Sequence, residues 1–184
     1  KRAYREQRVV LLVRHPADVT MSQYFQWKPR MRRHKILLNR YPADPATSQF
    51  EFMMGPSGLP KVIAFLNEWA AGFAEVRSGL TVRYEDLRAD TARELGRLAG
   101  FLGLEVDAAR LAEVVDYASV ENMRQREREE QSGSERLRPG DPSNPDSFKT
   151  RRAKVGGYHD YFDAAGIAEI DALIARTLDP VFGY

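Results

Sequence analysis

Arg14 and Ser22 are the first residues of this chain whose types and spacing could do chemistry together. Arg14 closes the apolar, β-branched run Val9 to Val13, and Ser22 follows eight positions later, after Pro16 and Asp18. A guanidinium fork donates to two oxygens of an anion and a hydroxyl donates to a third, so the pair suits a phosphate. A structural ion pair at a strand end is the plain alternative for such an Arg. A second basic set lies far along the chain. Lys149, Arg151, Arg152 and Lys154 fall within six residues, and Gly156 and Gly157 follow them. Clustered cations ahead of a Gly pair suit a loop that folds over an anion, whereas in isolation they read as a surface patch. Like charges on such a segment repel until an anion neutralises them, so the loop is expected to be mobile without a ligand and protected with one.

The elements that must position these groups can be read from the pattern. Val9 to Val13 reads as a parallel strand buried on both faces. Pro16 suits a first helical turn, and Asp18 adds negative charge near the positive end of that helix. Arg14 therefore stands at a strand's carboxyl end and Ser22 on the following helix, at the edge where open α/β sheets bind ligands. Val62, Phe65, Leu66, Trp69, Phe73 and Val76 form one apolar stripe, which predicts a helix over Pro60 to Val76 with Trp69 in the core. Leu80 to Tyr84 reads as a second buried strand. Thr91 and Glu94 suggest a capping box for a helix that ends at Gly103. Further helices are expected over Asp107 to Tyr117, Ser119 to Glu130 and Ile167 to Leu178. The fold class is α/β, a parallel sheet flanked by helices.

The remaining stretches carry less. Trp27 to Arg40 holds six Lys and Arg and no acid, and reads as a solvated loop. Gly55-Pro-Ser-Gly58 follows no strand and lacks a Gly-Lys-Ser/Thr ending, so it reads as a turn rather than a phosphate loop. The mixed run Arg124 to Arg138 reads as solvated, and Gly133 to Ser147 as a mobile loop. With 184 residues and 43% hydrophobic content, the chain suits one domain, residues 1–184. A net charge of +2 argues against a dedicated nucleic-acid binder. There is no Cys, and three scattered His give no metal-ligand spacing, so no metal is expected. No apolar run is long enough to span a membrane.

Three ordered motifs add a family resemblance. Arg14-His-Pro-Ala-Asp-Val-Thr-Met-Ser22-Gln-Tyr24 resembles the 3′-phosphate-binding element of sulfotransferases that use 3′-phosphoadenosine 5′-phosphosulfate (PAPS). Val82-Arg-Tyr-Glu-Asp-Leu87, followed by Phe101-Leu-Gly103, is similar to a second family stretch. Lys149 to Phe162 resembles the family's basic glycine element, with Gly157, Tyr158 and His159 in place of Asp, Trp and Lys. The resemblance implies that Arg14 and Ser22 hold the 3′-phosphate and that Tyr84 approaches the adenine. It further implies that Arg151, Arg152 and the backbone of Ala153, at a family Gly position, clasp the phosphate. Val120 replaces an aromatic near the adenine.

The resemblance implies a P-loop NTPase-like sulfotransferase fold, with PAPS as sulfuryl donor and a small-molecule hydroxyl or amine as acceptor. A cytoplasmic location is expected. No residue is assigned as catalytic base. The family's first strand–loop–helix, which binds the 5′-phosphosulfate, has no counterpart, and both it and the base are expected upstream of Lys1. A P-loop-type kinase and a non-catalytic nucleotide- or polyanion-binding module remain alternatives.

Overall fold

The computed structural model describes residues 2–129, 141 and 143–184. Strand β1 (Arg8–Val13) pairs in parallel with β2 (Ser78–Arg83), in a register that runs from Arg8 opposite Ser78 to Val13 opposite Arg83. Nine helices join them among the described residues. They are α1 (Pro16–Arg30), α2 (Arg33–Asn39), α3 (Gln49–Met54), α4 (Leu59–Phe73), α5 (Tyr84–Ala89), α6 (Thr91–Leu102), α7 (Ala108–Tyr117), α8 (Val120–Arg128) and α9 (Ala164–Thr177).

The chain divides into two compact units. The first comprises Lys1–Arg14, Phe65–Ser119 and Asp179–Tyr184. The second comprises His15–Ala64 and Val120–Leu178. In the first, the sheet packs one face inward. Val9, Leu11 and Val13 are buried, while Val10 and Leu12 are 38% and 58% exposed. The expectation of burial on both faces is therefore corrected. Strand side chains alternate between faces, and only one face of β1 is covered among the described residues. A Cβ on Gly79 would lie 2.7 Å from the Phe73 ring, so the bare glycine lets β2 approach the end of α4.

The helix starts show which local rules prevailed. Pro16 occupies the first turn of α1, as its missing N–H allows. At α6 the expected Thr91–Glu94 capping box does not form. Asp90 caps the helix by accepting from the Arg93 N–H at 2.9 Å, and Thr91 Oγ1 donates back to the Leu87 carbonyl. Glu94 is instead buried, bonded to Arg97 and Arg93. An Asp one residue upstream offers a better acceptor than Thr, and the box loses. On α4, Val62 and Leu66 are buried as expected, joined by Leu59 and Ile63, but Phe65 is 54% exposed. Trp69 is half-buried, tilted against Tyr4. The stripe is displaced by one position because Ile63 and Leu59 take the inward face.

The second unit is built on aromatic packing. Tyr24 and Trp27 of α1 meet Phe52 of α3, with the Trp27 and Phe52 rings stacked at 5.1 Å. All three are at least 95% buried, and burial of each such side chain contributes about 2–3 kcal/mol. Trp27 to Arg40 is thus not a loop. Its first residues end α1, and Arg33–Asn39 forms α2, closed by Arg40 at φ 57°. Ser48 and Glu51 form a complete capping box at α3.

Gly58 supports the turn reading of Gly55 to Gly58. A Cβ at this position would lie 2.0 Å from the Phe52 carbonyl oxygen. Gly58→Ala is expected to destabilise the protein by about 3 kcal/mol, because backbone rather than a flexible side chain fills the space. Denaturant unfolding measures this, and an unchanged midpoint would contradict the close approach.

Candidate functional site

The parallel register brings Arg14 and Tyr84 together within the first unit. Val13 faces Arg83 across the sheet, so the next residues, Arg14 and Tyr84, leave neighbouring strand ends together. The Arg14 guanidinium lies 4.3 Å from the Tyr84 ring centroid, over its face. Such stacking orients a guanidinium while its N–H edge still donates. Tyr84 opens α5 directly after β2. Nearby, Tyr184 donates to Glu85 at 2.8 Å, and Arg83 stacks over the Tyr184 ring.

Ser22 and the basic loop belong to the second unit. Ser22 lies on α1, one turn before Gln26 and two before Arg30. These three, with Phe25, Asp146, Phe148, Lys149 and Arg151, line a cavity of about 300 Å³. Ser22 and Arg151 therefore face one space. Three cations and one carboxylate line it, with a hydroxyl and an amide between them, a set suited to an anionic ligand.

The loop's cations are not left to repel one another. Arg151 lies flat on Phe25, 3.8 Å from the ring centroid. Its Nη1 donates to Asp146 and to the Tyr161 hydroxyl. Nε and Nη2 remain as further donors of a guanidinium that lines the cavity. Arg152 pairs with Asp160 at 2.6 Å and donates to Tyr161. Lys154 places its ammonium between both oxygens of Asp160, at 2.7 and 2.8 Å. The Lys154 hydrogen bonds, with Arg152 beside them, hold the Asp160 carboxyl below the usual carboxylate range. These pairs are thus formed at neutral pH and are lost only as pH falls through that lowered value. Asp146 and Asp160 offset part of the loop's charge.

Two buried carboxylates and one arginine that the sequence did not single out for this loop hold its backbone. Asp18, 3% exposed, accepts from the Gly156 N–H at 2.9 Å and the Tyr158 N–H at 3.0 Å. Glu127, 4% exposed, accepts from the Lys149 and Thr150 N–H groups. Arg124 donates to the carbonyls of Thr150 and Arg151. The reading of Arg124 to Arg138 as solvated is corrected at these two positions, while residues 130–138 lie outside the described residues. So do residues 133–140 and 142 of the expected mobile loop. Its end forms a short turn, Pro145–Ser147, with Ser147 buried.

The chain-end side of the loop is equally fixed. Gly156 takes φ 67°, a left-handed turn that favours glycine. Tyr158 is buried, stacks on His15 at 5.0 Å and donates to Asp171 at 2.6 Å. Burial first, and then Asp171, push its phenol well up, so it stays a neutral donor. Among the described residues, no group of three His, Cys, Asp or Glu could hold a metal ion, and no helix is long and apolar enough to cross a membrane.

Ala153 holds φ 52°, a conformation L side chains rarely adopt. Its backbone keeps the shape that a glycine would give. Ala153→Gly is expected to stabilise the protein by about 0.5–1 kcal/mol, the relief of left-handed strain less the entropy added to the unfolded chain. Thermal unfolding reads this, and a destabilised variant would show that the turn is not strained.

Comparisons with known proteins follow the same outline. The sulfotransferase domain family matches residues 4–181. Sulfotransferase 2A2 of Rattus norvegicus is 29% identical over 112 residues, covering 61% of this chain and 37% of that protein. Sulfotransferase 2A6 of the same species is 26% identical over 118 residues, covering 64% and 39%. The chain thus spans about two fifths of the length of the curated relatives it matches. Among solved structures, a retinol dehydratase in complex with androsterone and the inactive cofactor PAP aligns with a TM-score of 0.65 and 20% identity. That alignment covers 92% of this chain and 47% of the other. Mouse sulfotransferase SULT7A1 complexed with PAP aligns at 0.64 and 19%, covering 92% and 57%. These structural matches show the fold: α/β, with a parallel sheet flanked by helices.

Proposed function

The chain belongs to the sulfotransferase domain family, and on that premise we propose that it serves PAPS-dependent sulfuryl transfer to a hydroxyl or amine of a small-molecule acceptor. The observation that carries this reading is the shared cavity of Ser22 and Arg151, which sit 129 residues apart in the chain and face one space. A hydroxyl, a guanidinium and further cations lining a 300 Å³ cavity suit a nucleotide phosphate in size and charge. The match over residues 4–181 supports treating both compact units as parts of one sulfotransferase domain.

When bound, PAPS supplies the activated sulfuryl group. The residues of this chain hold the donor's far end. In this reading Ser22 and the free N–H groups of Arg151 donate to the 3′-phosphate. Arg152 and the backbone N–H of Ala153 add to the clasp, and Arg14 supplies a second fork, oriented by Tyr84. Tyr84 also offers its ring edge to the adenine. The 3′-phosphate is remote from the reacting sulfur, so this binding energy positions the donor for in-line transfer. The relative that holds androsterone, an alcohol, supports a small hydroxyl acceptor.

Arg14→Ala in the full-length protein is expected to weaken adenosine 3′,5′-bisphosphate binding by about 2–4 kcal/mol, and Ser22→Ala by about 1 kcal/mol. Calorimetry tests both, with adenosine 5′-monophosphate as the control. Unchanged bisphosphate affinity in the Arg14 variant, or an equal loss with the monophosphate, would contradict the assignment.

A further inference from the structure

We propose that Asp18 is a positioning residue that docks the basic loop on α1 and thereby gives the site its preference for a 3′-phosphate. The proposal rests on the donor-binding reading above and adds a residue to it. Asp18, Ser22 and Phe25 lie four and seven positions apart, on one stripe of α1. The loop touches both ends of that stripe. At one end the Gly156 and Tyr158 N–H groups donate to the two oxygens of Asp18. At the other, the Arg151 guanidinium lies on the Phe25 ring. Ser22 stands between the two contacts, and it shares its cavity with Arg151.

The chemistry requires a carboxylate here. Each oxygen accepts from a different backbone N–H of one tight turn, whose left-handed Gly156 aims them together. A buried ionised group that accepts two such bonds holds its partners more firmly than a neutral acceptor. An Asn would keep one acceptor and turn its NH₂ toward the other N–H, so the turn would lose a bond and meet a donor. Asp18 touches no reacting atom. It acts through the loop, by keeping Arg151 at the cavity that Ser22 lines. Glu127 provides the matching support at the loop's start, through the Lys149 and Thr150 N–H groups.

The test compares two nucleotides rather than stability alone. In the full-length protein, Asp18→Asn is expected to lower affinity for adenosine 3′,5′-bisphosphate about tenfold and to leave that for adenosine 5′-monophosphate within about twofold. Hydrogen exchange at the Gly156 and Tyr158 amides should rise in parallel. Glu127→Gln should give the same selective loss in smaller measure, and decides the matter if Asp18→Asn does not fold. An equal loss for both nucleotides, or unchanged selectivity with exposed amides, would overturn the proposal. If the unsubstituted protein itself does not prefer the bisphosphate, the donor-binding reading fails instead, while amide exchange still reports whether Asp18 docks the loop.

Discussion

A buried carboxylate that accepts two backbone N–H groups from 138 and 140 residues away is the contact on which the candidate site depends. Closing so long a stretch of chain costs conformational entropy, and a desolvated charge costs more unless it is paired. Asp18 meets both demands at once, because its hydrogen bonds satisfy the charge and fix the turn. The loop so held carries Lys149, Arg151, Arg152 and Lys154. Asp146 and Asp160 offset that charge locally, which lets the segment lie against α1 before any ligand neutralises it. The result is a basic edge held in place, a condition for binding an anion without a large ordering cost.

The sheet contributes a second, independent constraint. Parallel pairing of β1 with β2 in this register delivers Arg14 and Tyr84 from adjacent strand ends. Neither residue needs a long side-chain path to reach the other. One strand's end supplies a charge and the other's the aromatic face that orients it. This division follows the general rule that open α/β sheets bind ligands at the carboxyl edge.

Much of this was legible in the sequence, and the failures have physical causes. The β-branched run, Pro16 and the order of the three motifs led to β1, α1, Arg14 and Ser22. Gly103 and Asp107 marked helix ends that the structure keeps, since Gly103 is left-handed at φ 76° and Asp107 caps α7. Asp18 was legible only as a charge near a helix start, because no local pattern links it to Gly156. Glu127 lay in a mixed run that looks solvated until a partner 22 residues on is known. The loop's charges were counted without Asp160, six residues past Lys154, which pairs with Arg152 and Lys154 in space. Burial of both faces of β1 does not follow from apolarity alone, which does not say which face of a strand is covered.

In the reading proposed above, the loop and α1 hold a 3′-phosphate between them. A crystal structure of the full-length protein with adenosine 3′,5′-bisphosphate tests it most directly. The 3′-phosphate oxygens are expected at about 2.7–3.2 Å from the Ser22 hydroxyl, the Arg151 guanidinium and the Ala153 N–H, with the Asp18 hydrogen bonds intact. A 3′-phosphate bound away from Ser22 and Arg151, or a loop that leaves Asp18 to admit the nucleotide, would contradict it.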